Sequence, residues 1–182
     1  PALLRSARAL QLEHEEQPAA LRGAPLAARV VHFATHGAFD PAAPLEGSGL
    51  FLAAEGRLPS GESAAAHLAS PAVLAGLELR GSRVIVSACL CGRSREVTPG
   101  EALGVLWALL QAGAASVVAA HWRTDIDSAM TFFEAFYTAW LGTEGVPLWQ
   151  AHRHAVQAVR SARPSYNHPY HWAPFVLYGP WT

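Results

Sequence analysis

Residues 83–92 read RVIVSACLCG, and this stretch decides the fold. Its first six residues are short, β-branched and nearly continuous in apolar character, the pattern of a strand buried on both faces of a parallel sheet. A thiol, Cys89, follows at the carboxyl end of that strand, and 92–100 reads as a polar loop. Two other runs share the pattern. Residues 28–34 (ARVVHFA) lead directly into Thr35-His36-Gly37, and residues 116–120 (SVVAA) form a further β-branched strand. Residues 49–53 and 175–178 add two short candidates, the last closed by Gly179-Pro180.

Helical patterns fall between the strands. Residues 3–16 carry apolar positions at Leu4, Ala7, Leu10 and Leu12 among charges, an amphipathic helix that Pro18 ends. Residues 58–69 read as a loop leading into a short helix over 70–75, with Ser70 as N-cap and Pro71 at the first helical position. Residues 101–112 predict a buried helix stopped by Gly113. Residues 126–141 and 146–161 predict two amphipathic helices split at Gly142 and Gly145, and 40–48, with Pro41, Pro44 and Gly47, is turn-rich. Apolar strands alternating with helices imply a mostly parallel sheet covered on both faces, a three-layer α/β/α sandwich. In such sheets active sites lie beyond the carboxyl ends of the strands. No repeat or linker divides the chain, and 182 residues suit one domain.

Composition narrows the function classes. With 51% hydrophobic residues the chain can bury a substantial core, and 13 basic against 14 acidic side chains create no field that would draw it onto nucleic acid or anionic lipid. The longest apolar stretch, 102–120, is interrupted by Gln111 and Gly113 and falls short of a membrane span. No secretory leader opens the chain, and a start at Pro1 suggests a piece of something longer. Cys89 and Cys91 are two apart; on a strand they would leave opposite faces, so they read as thiols of a reducing, cytoplasmic compartment. The histidines make no ligand set: His152 and His154 point to different sides of a helix, and His168 and His171 sit among prolines and aromatics. Neither a metal nor a cofactor is expected.

The chemistry gathers at two strand ends. His36 stands about 50 residues before Cys89, the interval between the histidine and the nucleophilic cysteine of caspases. A free thiol, with a pKa of about 8.5, is mostly protonated at neutral pH, so a neighbouring imidazole helps to supply thiolate and then protonates the leaving amine. Gly37, lacking a β-carbon, lets backbone approach a substrate, and its N–H with that of Cys89 is a candidate oxyanion hole.

Five strings carry a resemblance: HFATHG (32–37), SGLFLA (48–53), VIVSACLCG (84–92), GEALGVLWALLQAGAASVVAAHW (100–122) and HPYHWAPFVLYG (168–179). In order and interval, from about Leu12 to Trp181, they resemble the CHAT domain, a branch of the caspase- and separase-like peptidases. The resemblance implies a caspase-like α/β/α fold and proteolysis by a Cys-His dyad, with His36 and Cys89 at the dyad positions. It also implies residence in bacterial multidomain proteins whose N-terminal part often consists of tetratricopeptide repeats. Two departures stand out. Glu and Thr usually follow the family's cysteine, where this chain has Leu90 and Cys91, and the family's strands upstream of the first helix are missing. An open sheet edge invites pairing, so a missing N-terminal segment or another chain is expected to complete it.

Residues 121–129 (HWRTDIDSA) resemble the separase segment whose acidic residue receives a basic side chain, which makes Asp125 the candidate floor of an S1 pocket for Arg or Lys. Trp122, just beyond a strand end, is a candidate wall of the substrate groove. Asp125 has an equal structural reading as N-cap of the helix from Ile126, with Asp127 favouring the helix dipole. Cys91 reads as a packing thiol and His32 as structural. The function expected is a cysteine endopeptidase that cuts a protein partner after a basic residue under control of segments outside this chain. A catalytically silent scaffold is the alternative. A thiol hydrolase of small molecules is a third reading, and a redox role is weakened by CxC in place of CxxC.

Overall fold

A computed structural model describes residues 30–52, 68–98, 101–142 and 146–180. The expected helix over 3–16 and most of the loop over 58–69 lie outside the described residues. Strands β1 (Val30–Ala34), β5 (Arg83–Ser87), β8 (Ser116–Ala120) and β9 (Phe175–Tyr178) form the main sheet in the order β1-β5-β8-β9. The first three are parallel and β9 runs antiparallel to β8. Register runs from Val30 opposite Arg83 to Ala34 opposite Ser87. The chain therefore leaves β1 and β5 side by side, and whatever follows Ala34 and Ser87 emerges at the same edge. Among the described residues no strand pairs with the outer edge of β1.

Period-two alternation divides the strand side chains between two cores. Val84, Val86, Val117 and Ala119 pack under α1 (Pro71–Ala75) and α2 (Val105–Gln111), with Leu74, Leu106 and Leu109 from those helices. Ile85, Val118 and Phe175 face α3 (Ile126–Leu141) and α4 (Leu148–Ala162), which supply Phe132, Phe136, Ala151 and Ala155. The protein is thus the three-layer α/β/α sandwich expected from the sequence. Phe132 and Phe136 are fully buried, so truncating either to Ala is worth about 3–5 kcal/mol.

Two expectations are corrected. Residues 92–100 are not all loop: β6 (Arg95–Thr98) pairs antiparallel with β7 (Glu101–Leu103), and the helix expected from 101 begins only at Val105. Gly104 marks the change. A methyl on it would lie 2.6 Å from the Arg93 carbonyl oxygen, so the chain passes too close to the loop after Cys89 for a helix to continue backwards. A second small sheet, β2 (His36–Ala38), β3 (Gly49–Phe51) and β4 (Leu68–Ala69), has antiparallel strands in the order β2-β3-β4. A 3₁₀ turn (Pro164–Asn167) and the short α5 (Pro169–Trp172) lead from α4 into β9.

Candidate active site

His36 and Cys89 emerge at the carboxyl edge of the main sheet on neighbouring strands. The Thr35 N–H donates to the Ser87 carbonyl (3.4 Å), and the Thr35 hydroxyl donates to the Phe51 carbonyl, which turns the chain from β1 into β2. His36 therefore begins a strand held by β3 rather than a loose loop; it is exposed, whereas Cys89 is half-buried and a free thiol.

Cys89 sits in a tight turn over 88–92. Leu90 has φ of 65°, the positive-φ non-glycine position among the described residues, a left-handed conformation worth about 1–2 kcal/mol of strain for an L-residue. The turn is pinned by the Arg93 N–H to the Leu90 carbonyl (3.0 Å) and by the Gly92 N–H to the Ala120 carbonyl at the end of β8 (2.9 Å). Within it the Cys91 thiol, only 1% exposed, donates to the Cys89 carbonyl at 3.4 Å. Burial, and then the neighbouring Cys89, push the Cys91 thiol up to about 12, so it stays protonated at neutral pH. No acceptor among the described residues takes the Cys89 N–H.

Gly37 is what brings the histidine strand against this turn. A methyl there would lie 2.4 Å from the Cys89 carbonyl oxygen and 2.4 Å from the Cys91 sulfur. From behind, the His121 imidazole lies against Gly92, where a methyl would meet its Cδ2 at 2.7 Å. His121 hydrogen-bonds the Tyr178 hydroxyl and stacks on that ring, and its backbone N–H donates to the Pro174 carbonyl at 3.0 Å. Burial and the Arg93 charge hold its pKa below the usual histidine value. The turn over 88–92 is clamped between Gly37 and His121.

Two arginines tie the loops that follow each candidate dyad residue. The Arg93 guanidinium lies 5.4 Å from the Phe39 ring centroid, and Arg95 Nη1 donates to the Pro41 carbonyl at 3.0 Å. Asp40 shapes its own loop, accepting from the Ala42 N–H (2.8 Å) and donating its N–H to the buried Ser48 hydroxyl oxygen (3.0 Å).

Asp125 and Trp122 lie beyond the end of β8, on the same edge of the sheet. Asp125 caps α3: Oδ2 accepts from the Ser128 N–H (3.0 Å) and from the Tyr166 hydroxyl (2.8 Å). The Tyr166 bond first, and the Ser128 bond next, hold its carboxyl below the usual carboxylate range. The Ser128 side chain and the nearby His171 also favour the charged carboxylate, more weakly. Half-buried Trp122 is oriented by Nε1 donating to the Tyr170 carbonyl at 3.0 Å. His32 is engaged with Tyr137 at 3.0 Å, and His152 Nε2 with the Phe175 carbonyl at 2.9 Å. Among the described residues no three side chains of metal-ligating type gather, and no helix is long and apolar enough to cross a membrane.

The supports of the turn were not singled out from the sequence. His121 and Tyr178 meet across 57 residues, and Tyr166 and Asp125 across 41, with no periodicity to announce them. A left-handed leucine likewise leaves no compositional mark.

Among known families, the CHAT domain model matches residues 3–180. A search of curated proteins finds no match.

Proposed function

Because the chain belongs to the CHAT domain family, a caspase-like peptidase family, we propose that it is a cysteine endopeptidase in which Cys89 is the nucleophile and His36 its acid/base partner. The observation that carries this reading is the contact of Gly37 with the Cys89 carbonyl, which holds the strand bearing His36 directly against the nucleophile turn. Cys89 is half-buried and free while Cys91 is sealed, so one of the two thiols is presented to a substrate. The Cys89 N–H, for which no acceptor stands among the described residues, supports with Gly37 an oxyanion hole for the tetrahedral intermediate. The reaction runs by attack of the Cys89 thiolate on the scissile carbonyl, protonation of the leaving amine by the His36 imidazolium, and hydrolysis of the thioester by water that the same imidazole activates.

Asp125, whose carboxyl is held in the charged form, is the proposed acceptor for a basic P1 side chain, with Trp122 walling the groove. The substrate is a protein. In this reading residues 1–182 act as one domain, and an upstream segment or another chain, tetratricopeptide repeats included, pairs with the edge of β1 that no strand covers among the described residues and regulates the site.

The test is labelling with a peptide electrophile bearing Arg at P1, in wild type, Cys89→Ala and His36→Ala, with the adduct mapped by mass spectrometry. An adduct on Cys89 that depends on His36 is expected. Absence of any adduct with Arg, Leu or Asp probes, with an upstream segment supplied, would replace this reading by a catalytically silent scaffold.

A further inference from the structure

Cys89 and Cys91 are separated by one residue, and the backbone of that residue decides whether their sulfurs can meet. On an extended strand their Cα atoms would stand about 6.4–6.8 Å apart, at the far limit of the disulfide range, with side chains on opposite faces. The chain is not extended there. β5 ends at Ser87, and the φ of 65° at Leu90 places this branched residue in the left-handed helical region. Helical geometry of either hand separates residues i and i+2 by about 5.4 Å, close to the commonest disulfide span of about 5.5–6 Å. The Cys91 sulfur also turns back toward its neighbour, 3.4 Å from the Cys89 carbonyl oxygen.

We propose that Cys91 is a resolving thiol for Cys89, so that hydrogen peroxide converts the pair reversibly into a Cys89–Cys91 disulfide that masks the nucleophile. In the first step the Cys89 thiolate attacks one peroxide oxygen. The O–O bond breaks, hydroxide leaves, and sulfur gives up two electrons to become a sulfenic acid. In the second step the Cys91 sulfur attacks that sulfur. The S–S bond forms, the S–O bond breaks, and the departing hydroxide takes up the Cys91 proton as water. A thiol reductant such as glutathione returns both cysteines by exchange.

The different exposure of the two thiols suits these roles. Half-buried Cys89 is open to peroxide, while buried Cys91, protonated up to about 12, is protected from direct oxidation. The inference rests on the proposed function only in taking Cys89 to be a reactive thiol.

The experiment uses the full chain, reduced and then exposed to hydrogen peroxide, unfolded in iodoacetamide and digested with trypsin, which leaves both cysteines on one peptide, residues 84–93. The expected product is that peptide two hydrogens lighter, unalkylated, from a monomeric chain, and restored by reductant. In Cys91→Ser, and in Cys91→Ala as a second variant, the reversible product is lost and Cys89 instead accumulates two or three oxygens that reductant does not remove. Wild type that accumulates oxygens on Cys89 beside an alkylated Cys91, or that joins two chains through Cys89, overturns the proposal. Alkylation of native Cys89 without peroxide, measured first, separates the two failures: an unreactive Cys89 defeats both readings, a reactive Cys89 that forms no disulfide defeats only this one.

Discussion

Replacing Gly37 by Ala is the sharpest probe of how the candidate dyad is assembled. The backbone at Gly37 is not left-handed, so the glycine is needed for space and not for φ. The added methyl would lie 2.4 Å from the Cys89 carbonyl oxygen, 2.4 Å from the Cys91 sulfur and 3.4 Å from the Ala88 Cβ. Non-bonded atoms prefer about 3.5–4.0 Å, so something must retreat by about 1 Å. Neither obstacle is a flexible side-chain end: one is the Cys89 backbone, the other a thiol only 1% exposed. Overpacking of this kind costs about 1–3 kcal/mol, which outweighs the gain of about 0.4–1 kcal/mol from stiffening the unfolded chain. For a domain of this size each kcal/mol moves Tm by about 2–4 °C. A displacement of about 1 Å between reacting groups costs on the order of 100-fold in rate. Gly37→Ala is therefore expected to melt several degrees lower and to label Cys89 about 100-fold more slowly with a peptide electrophile that needs the dyad. Small iodoacetamide, which needs no aligned imidazole, should lose far less. Scanning calorimetry and labelling kinetics read both. A variant that melts lower but labels at the wild-type rate would reduce Gly37 to packing and refute its part in setting the dyad.

Asp125→Asn separates cap from specificity residue, because Asn caps a helix about as well as Asp but carries no charge. Melting is expected to change little while kcat/KM for substrates with Arg at P1 falls about 10- to 100-fold, the worth of a hydrogen bond to a charged group; an intact preference for Arg would remove Asp125 from the S1 pocket. His121 and His152 are both held below the ordinary histidine pKa of 6.5, chiefly by burial. Just below 6.5 the unfolded chain binds more protons than the folded one, so stability rises with pH through that window and falls as acid protonates the buried imidazoles. Wild-type Tm should climb from about pH 5 to 7, and His121→Gln, which keeps a partner for Tyr178, should climb less; identical slopes would show that His121 does not titrate as a buried group.

The sandwich was legible because its strands are short apolar runs and its helices have clear periods. Residues 116–120 and 126–141 fall at the positions expected, since nothing outside those segments competes for them. The misreading of 92–104 has a local cause. Residues 101–103 have the apolar spacing of a helix, but they are taken by pairing with Arg95–Thr98, and Gly104 is pressed against Arg93. Likewise His36 and Cys89 were readable from the ends of their strands, whereas the closeness of Gly37 to Cys89 depends on β2 being held by β3, a pairing with no signature in His36-Gly37-Ala38.

Leu90 and Cys91, which stand where the resemblance leads one to expect Glu and Thr, lie in a turn with a positive φ at Leu90 and a thiol bond from Cys91. A left-handed leucine is unfavourable by itself and persists only because bonds on both sides over-determine it: Arg93 to Leu90, Gly92 to Ala120, and the Cys91 thiol to Cys89. The thiol bond is the weakest of the three, yet it is the one that joins the nucleophile's own carbonyl to the residue packed on Gly37. A buried hydroxyl at position 91 would make a similar bond in similar space, so the constraint alone does not require a cysteine. What sulfur adds is chemistry: of the two side chains that could make this bond, only a thiol could also join Cys89 in the proposed disulfide.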